Sequence, residues 1–227
     1  VTPDAVQLIE TLRVDPGGAM PLLAGHRERL RASCQALGFR WPADLFGQHL
    51  PQLASTLDRN TGHRVRVLVS PDGSYDVRSG PLAATPQPVS VRLATTPLLA
   101  NPFWLRHKST HRPWYRAAQA WLEAQGTVFD VIYCNAEHQL CEGSRSNIYV
   151  QDGAGQWLTP ALSCGLLPGV QRQALLEQGL VREATLTKVD LISSPALRVS
   201  NALRGWLDAR LSSSEDFPHE RPASISH

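Results

Sequence analysis

Two lysines stand against twenty arginines in this chain, and one of them, Lys108, lies in the polar run Arg106-His107-Lys108-Ser109-Thr110-His111-Arg112. A guanidinium stays protonated and serves wherever only charge is needed, whereas a lysine amine can lose its proton and attack a carbonyl. Lys108 is therefore a candidate covalent amine. The competing reading is a solvated surface lysine, and the other lysine, Lys188, keeps that reading open. Glu142 is the second candidate, set among small and polar residues in Leu140-Cys141-Glu142-Gly143-Ser144-Arg145-Ser146-Asn147. Strand alternation puts it on the face of Leu140 and Ser144, where an ionised carboxylate is costly unless a cation or strong donor meets it. A protonated heterocycle nitrogen would be such a partner, and so would Arg145 or another arginine. Third, Gly165-Leu166-Leu167-Pro168-Gly169-Val170-Gln171 puts proline and glycine at a predicted helix start, where free N–H groups and the helix dipole suit a phosphate. Pro168 filling the first turn of a helix is the structural alternative. Arg29 could add a bidentate contact to such an anion. An amine able to form an imine, a carboxylate suited to a pyridinium and an anion site are together what pyridoxal 5′-phosphate requires.

The elements that must position these groups follow from periodicity. Ala5 to Val14 partly alternates and stops at Asp15-Pro16-Gly17-Gly18, a strand and a turn. Pro21 to Leu37 reads as a helix with Arg29 on its more polar side, and Asp44 to Leu57 as a second. Arg64-Val65-Arg66-Val67-Leu68-Val69, a Pro71-Asp72-Gly73-Ser74 turn and Tyr75-Asp76-Val77-Arg78 form a hairpin, and Val89 to Leu93 returns as a strand. Lys108 then sits in an irregular stretch ahead of a helix over Trp114 to Gln125. Strands follow at Phe129 to Cys134 and, as one segment, Gln139 to Val150; a helix begins at Pro168-Gly169, and Arg204 to Leu211 is a last strand. The expected organisation is α+β in two lobes, each a mostly antiparallel or mixed sheet with packed helices: 1–99 a small N-terminal lobe, 100–107 a connection, 108–211 a large cofactor-binding lobe and 212–227 a frayed tail.

Composition narrows the function classes. With 42% hydrophobic and 19% charged residues the chain can bury a core, and a formal net charge of +2 with arginines scattered among carboxylates does not suggest nucleic acid as a partner. Cys34, Cys134, Cys141 and Cys164 form no C-x-x-C pair and no zinc spacing, so neither a disulfide framework nor a metal is expected and a reduced cytoplasm fits. No leader pattern and no membrane-length apolar run is found, and a soluble protein is expected.

Several segments, in order, resemble the fold-type IV pyridoxal-phosphate enzymes, which include branched-chain and D-amino-acid aminotransferases and aminodeoxychorismate lyases. They are Glu10-Thr11-Leu12, His26-Arg27-Glu28-Arg29-Leu30, the run around Lys108, Glu142-Gly143-Ser144-Arg145-Ser146-Asn147-Ile148, Leu158-Thr159-Pro160 and Gly165 to Arg172. The resemblance implies Lys108 as the Schiff-base lysine, Glu142 as partner of the pyridine nitrogen, Arg29 and the N–H groups of Val170 and Gln171 as phosphate ligands, and Asn147, Leu167, Asn201 and Ala202 as further cofactor contacts. Many aminotransferases of this fold have a threonine where this chain has Ala202, leaving here only a backbone N–H. The tyrosine that many relatives aim at the cofactor's phenolic oxygen is not assigned, Tyr115 included. Relatives also carry a strand pair ahead of the Glu-Thr-Leu segment, so a smaller N-terminal sheet is expected.

His107 to Arg112 and Ser200-Asn201-Ala202-Leu203-Arg204-Gly205-Trp206 are similar to the lyase half of bifunctional aminodeoxychorismate synthase–lyase proteins. That implies cleavage of 4-amino-4-deoxychorismate to 4-aminobenzoate and pyruvate, a homodimer, and a separate synthase as a possible partner. The substrate is a small amine carrying two carboxylates, for which Arg106, Arg112 and Arg204 are candidates, Arg112 and Arg204 foremost. An amino-acid aminotransferase on the same cofactor and a catalytically silent binding protein are the alternatives.

Overall fold

A computed structural model describes residues 6–212. The tail expected from 212 onward lies outside the described residues apart from Ser212, as does the start of the first expected strand.

Strand β1 (Leu8–Val14) pairs antiparallel with β2 (His63–Val69), Leu12 opposite Val65, and β2 pairs with β3 (Tyr75–Pro81). In the turn between them the Asp72 carboxylate accepts from Ser74 N at 2.9 Å and Gly73 takes φ +83°, a conformation that costs glycine little. Alternation along β2 divides its faces: Val65, Val67 and Val69 are buried, while Arg64 and Arg66 look the other way. The valine face packs on α1 (Leu23–Leu37) and on α2 (Leu50–Thr56), which follows a wide π turn at Leu45–His49; Leu30, Leu45 and Leu50 complete that core. Each such fully buried side chain contributes roughly 1.5–3 kcal/mol. Helix α1 ends on Gly38 in the left-handed conformation, its N–H donated to Cys34 O.

The second sheet has eight strands: β4 (Val89–Leu93), β5 (Asp130–Cys134), β6 (Leu140–Gly143), β7 (Asn147–Gln151), β8 (Trp157–Pro160), β9 (Val181–Ala184), β10 (Leu197–Asn201) and β11 (Gly205–Leu211). Their spatial order is β6-β5-β4-β11-β10-β7-β8-β9, parallel at β4–β5, β4–β11 and β8–β9 and antiparallel elsewhere. The sheet curls, bringing edge strand β6 back beside β7, where Gly143 N donates to Ser146 O at 2.7 Å. Helices α3 (Pro102–Leu105), α4 (Arg116–Gln125), α5 (Val170–Glu177) and α6 (Lys188–Ser193) pack around it.

Two sequence expectations change. Strand β4 falls within the expected N-terminal lobe, yet it lies in the middle of the large sheet between β5 and β11. Its register with β11 joins Val89 to Ala209, a pairing across the whole second half of the chain that no local pattern announces. The single strand expected over Gln139 to Val150 is two strands, broken at Ser144–Ser146. Buried Asp130 on β5 draws that segment into a turn: its carboxylate accepts from Ser144 Oγ at 2.7 Å, Ser146 Oγ at 2.5 Å and Arg145 N at 3.1 Å.

Candidate active site

Lys108 is placed by the backbone on either side of it. Ile9 N donates to Lys108 O at 2.7 Å, Ser109 bridges to Leu8, and Thr110 N donates to Gln7 O at 2.8 Å, so the segment extends the three-stranded sheet along the free edge of β1. From α1, Ser33 Oγ meets His107 Nδ1 at 3.0 Å. The Lys108 side chain is half-buried because it opens into a cleft of about 1330 Å³ between the two sheets. Partial burial among the protein atoms packed around it, with Arg29, Arg112 and Arg66 nearby and only Glu10 opposing, pulls the amine down from 10.5 to about 7. Its deprotonation is thereby brought toward neutral pH. Lys188, by contrast, is exposed at the start of α6, behind a Thr187–Asp190 capping box.

Glu142, 3% exposed, lines the same cleft. The arginine partner that the sequence left open is not found: among the described residues no arginine forms a salt bridge with Glu142, and Arg145 is exposed. Three uncharged donors hold the carboxylate instead: Tyr115 Oη at 2.8 Å from Oε1, the Asn147 amide at 3.4 Å from Oε2 and the Leu167 N–H. Burial still outweighs them and the Arg112 charge, raising the carboxyl to about 7. Asn147 and Leu167 thus serve Glu142 directly, and the Asn147 amide also donates to Leu167 O at 3.1 Å.

At the other end, α5 starts at Val170 after Gly169, and the N–H groups of its first turn have no partner within the helix. Gly169 has no room for a side chain, since a Cβ would lie 2.0 Å from Asn147 Oδ1, and this close approach keeps the backbone open to the cleft. Val170 and Ala202 line the cleft; Gln171 does not, and contributes to this end only as part of the first turn. Asn201 lines it too, but its side chain is engaged in the β10–β11 turn, accepting from Arg204 N at 2.8 Å and donating to Arg145 O at 3.3 Å.

Arg29 reaches the cleft from α1 with its guanidinium forked onto Glu10, Nε to Oε1 at 2.9 Å and Nη2 to Oε2. Glu10 and His26 are each 1% exposed, and His26 Nδ1 lies 2.5 Å from Glu10 Oε2. Burial alone would raise the Glu10 carboxyl, but Arg29 and His26 hold it down at about 2. Burial lowers His26 below its usual 6.5, so the neutral ring donates through Nδ1 and leaves Nε2 a buried acceptor with no partner among the described residues.

Arg112 and Arg204 both line the cleft. Arg112 lies over the Tyr115 ring, 4.7 Å from its centroid, with Nη2 on Ser144 O at 3.2 Å, and Arg204 reaches Ala83 O. Arg106 is separated from them, exposed and lining a smaller cavity of about 460 Å³. The sequence reading left Arg64, Arg66, Glu10, His26, Asp130 and Tyr115 without roles at the site. For Arg64 and Arg66 a signal existed, two cations on one face of a strand whose other face carries Val65, Val67 and Val69. For the buried Glu10, His26 and Asp130 only the fold reveals the partners.

The donor set fits pyridoxal phosphate: a half-buried amine of lowered basicity for the aldehyde, a buried carboxylate for the ring nitrogen, and a side-chain-free helix start opposite Arg29 for the phosphate. No group of three or more His, Cys, Asp or Glu residues able to hold a metal ion occurs among the described residues, nor does any helix there have the length and apolarity to cross a membrane.

Comparison with known proteins gives the same picture. The family model described as amino-transferase class IV matches residues 7–211. A Schizosaccharomyces pombe protein provisionally named an aminodeoxychorismate lyase is 30% identical over 204 residues, covering 87% of this chain and 86% of that protein. A crystal structure from Mesorhizobium loti, provisionally named an amino-acid aminotransferase, superposes with a TM-score of 0.82 at 33% identity, over 91% of this chain and all of the other (100%). A hypothetical aminotransferase of Mycobacterium tuberculosis in its PLP-bound form shares the fold, with a TM-score of 0.71 at 20% identity over 92% of this chain and 82% of that one.

Proposed function

We propose, from the premise that the chain belongs to the class IV aminotransferase family, that it is a 4-amino-4-deoxychorismate lyase releasing 4-aminobenzoate and pyruvate. The fold is the fold-type IV architecture expected from the sequence, and the cofactor is pyridoxal 5′-phosphate. When bound, that cofactor supplies an aldehyde that takes up an amine and a ring that accepts electron density from the carbon bearing it. Lys108 would hold it covalently through Nζ; once displaced by the substrate amine, the same Nζ would take the proton from the carbon bearing the substrate nitrogen. An amine whose basicity is lowered to about 7 suits both tasks at neutral pH. Glu142 would keep a proton on the ring nitrogen, and Arg29 with the N–H groups opening α5 would hold the phosphate.

The observation that carries the lyase reading is the charge of the cleft around Lys108. Arg64, Arg66, Arg112 and Arg204 all line it, and none has a carboxylate within salt-bridge distance among the described residues, whereas Glu10 is already taken by Arg29 and His26. Four guanidiniums without a carboxylate partner in the cleft that holds Lys108, two of them, Arg66 and Arg112, acting on the amine itself, suit a substrate that carries two carboxylates. The Mesorhizobium loti neighbour favours a second reading, an amino-acid aminotransferase, in which Lys108 would return the proton to the cofactor and no carbon–oxygen bond would break. The two separate on product analysis. Purified protein given 4-amino-4-deoxychorismate, with no 2-oxo acid present, should release fluorescent 4-aminobenzoate and pyruvate in equal amounts. Turnover solely of an amino acid with a 2-oxo acid would sink the lyase reading. A homodimer, a cytoplasmic location and a separate synthase to supply the substrate belong to the same proposal.

A further inference from the structure

Glu142 owes its setting to a residue that the proposed chemistry has not used. Tyr115 is 0% exposed, packed in a core with Leu105, Ala118, Tyr133 and Cys141, and a phenylalanine would fill that space as well. What the hydroxyl adds is one contact, the 2.8 Å hydrogen bond to Glu142 Oε1. Its position is built in: Pro113–Tyr115 forms a single 3-10 turn closed by Tyr115 N on Arg112 O at 3.2 Å, directly after the Lys108 segment. Arg112 comes from the same turn, lays its guanidinium 4.7 Å over the phenol ring and ties itself to Ser144 O, next to Glu142 on the following turn. A cation on the ring face draws electron density from the phenol and makes it a stronger donor. One short segment therefore carries both Lys108 and the donor that meets the carboxylate.

We infer that Tyr115 is a positioning residue for Glu142, its hydroxyl fixing the carboxylate's direction in the cleft and favouring the ionised form that faces the cofactor ring. The inference rests on the proposed role of Glu142 at the ring nitrogen. Burial disfavours the charged carboxylate here, so the donors on it decide how much of it is ionised near neutral pH. A hydrogen bond to a charged group changes such an equilibrium by roughly tenfold or more.

The test is the ionisation of Glu142 itself, followed by infrared difference titration of the full-length protein freed of cofactor and assigned by the band lost in Glu142→Gln. Tyr115→Phe should raise its midpoint by about one pH unit, the tenfold loss of one charged hydrogen bond. Replacement of Tyr115 by 3-fluorotyrosine, a more acidic phenol of nearly the same shape, should move it the opposite way, and it guards against a packing defect in the phenylalanine variant. In the holoenzyme, nitrogen-15 resonance of ring-labelled pyridoxal phosphate should shift toward the unprotonated nitrogen in Tyr115→Phe. An unchanged Glu142 midpoint in both variants, or shifts of the same sign, overturns the inference; so does an altered cofactor spectrum with an unmoved carboxyl, which would mean that Tyr115 touches the cofactor instead. If Glu142→Gln left the nitrogen-15 resonance where it was, the ring-nitrogen reading of Glu142 would fail by itself, while the carboxyl titration would still judge Tyr115.

Discussion

Replacing Lys108 by methionine in the cofactor-free protein should make it more stable, by an amount that depends on pH. The amine is held at about 7 in the folded chain against an ordinary 10.5 in the unfolded one. Each tenfold in a protonation equilibrium is about 1.4 kcal/mol, so the full drop corresponds to about 5 kcal/mol of burial and repulsion borne by the charged form. Lys108 opens on the cleft, and solvent there screens part of this; about 2–3 kcal/mol is the share expected to be realised. The sign follows from proton binding: between pH 7 and pH 10.5 the unfolded chain holds the lysine proton and the folded chain does not, so wild-type stability rises with pH across that window. Below pH 7 both states are protonated and the folded state carries the whole penalty. Methionine keeps the length of the stem and removes the charge. At about 2–4 °C per kcal/mol for a chain of this size, Lys108→Met should melt roughly 5–10 °C above wild type at pH 6.5, with the gap closing toward pH 10. Calorimetry of both proteins, stripped of cofactor, across that range is the assay. A variant less stable than wild type at pH 6.5, or a difference independent of pH, would refute the reasoning.

The other predictions concern the cofactor site and the arginines. Glu142→Gln keeps an oxygen to accept from Tyr115 and Leu167 N–H, so the protein should fold and take up cofactor, while kcat falls by about 10²–10⁴, the range of a lost proton-holding group; steady-state kinetics beside circular dichroism checks both halves. Arg66→Ala, from the valine-backed strand, should raise KM for a dicarboxylate roughly tenfold or more with a smaller change in kcat, whereas Arg106→Ala, outside the cleft, should leave both unchanged. Gly169→Ala puts a methyl 2.0 Å from Asn147 Oδ1 and should cost about 1–3 kcal/mol together with cofactor retention, read by melting and equilibrium dialysis.

Local patterns carry much of this structure. The alternation of Arg64 to Val69 is seen directly in β2, and the apolar spacing of Leu23 to Leu37 in α1. The amine, the carboxylate and the helix start were legible as chemistry before any fold was known, and the structure brings Lys108, Glu142, Arg29 and Val170 to one cleft. What was not legible depends on partners far away in the chain. Period-two alternation runs through Ser144–Ser146 as though the strand continued, and only Asp130, reaching in from β5, explains the break. The place of β4 is set by parallel pairing with β11, more than a hundred residues later. Glu142 offered an arginine partner in its own motif, yet its strongest contact is a phenol from the turn after Lys108, because the curled sheet carries β6 over that turn. Glu10, buried in β1, reads as a flaw in an apolar strand until α1 supplies His26 and Arg29.

The covalent role of Lys108 is central to the proposed chemistry, and the presence of two lysines in the chain makes that role directly measurable. Holoenzyme reduced with borohydride and cut with trypsin, which leaves the Arg112–Pro113 bond intact, should yield the peptide running from His107 to Arg116 with Lys108 uncut and heavier by one pyridoxyl phosphate group, and this modification should be absent from Lys108→Ala. The cofactor's mass on the peptide that contains Lys188, or on neither lysine despite a loaded and reduced protein, would contradict it.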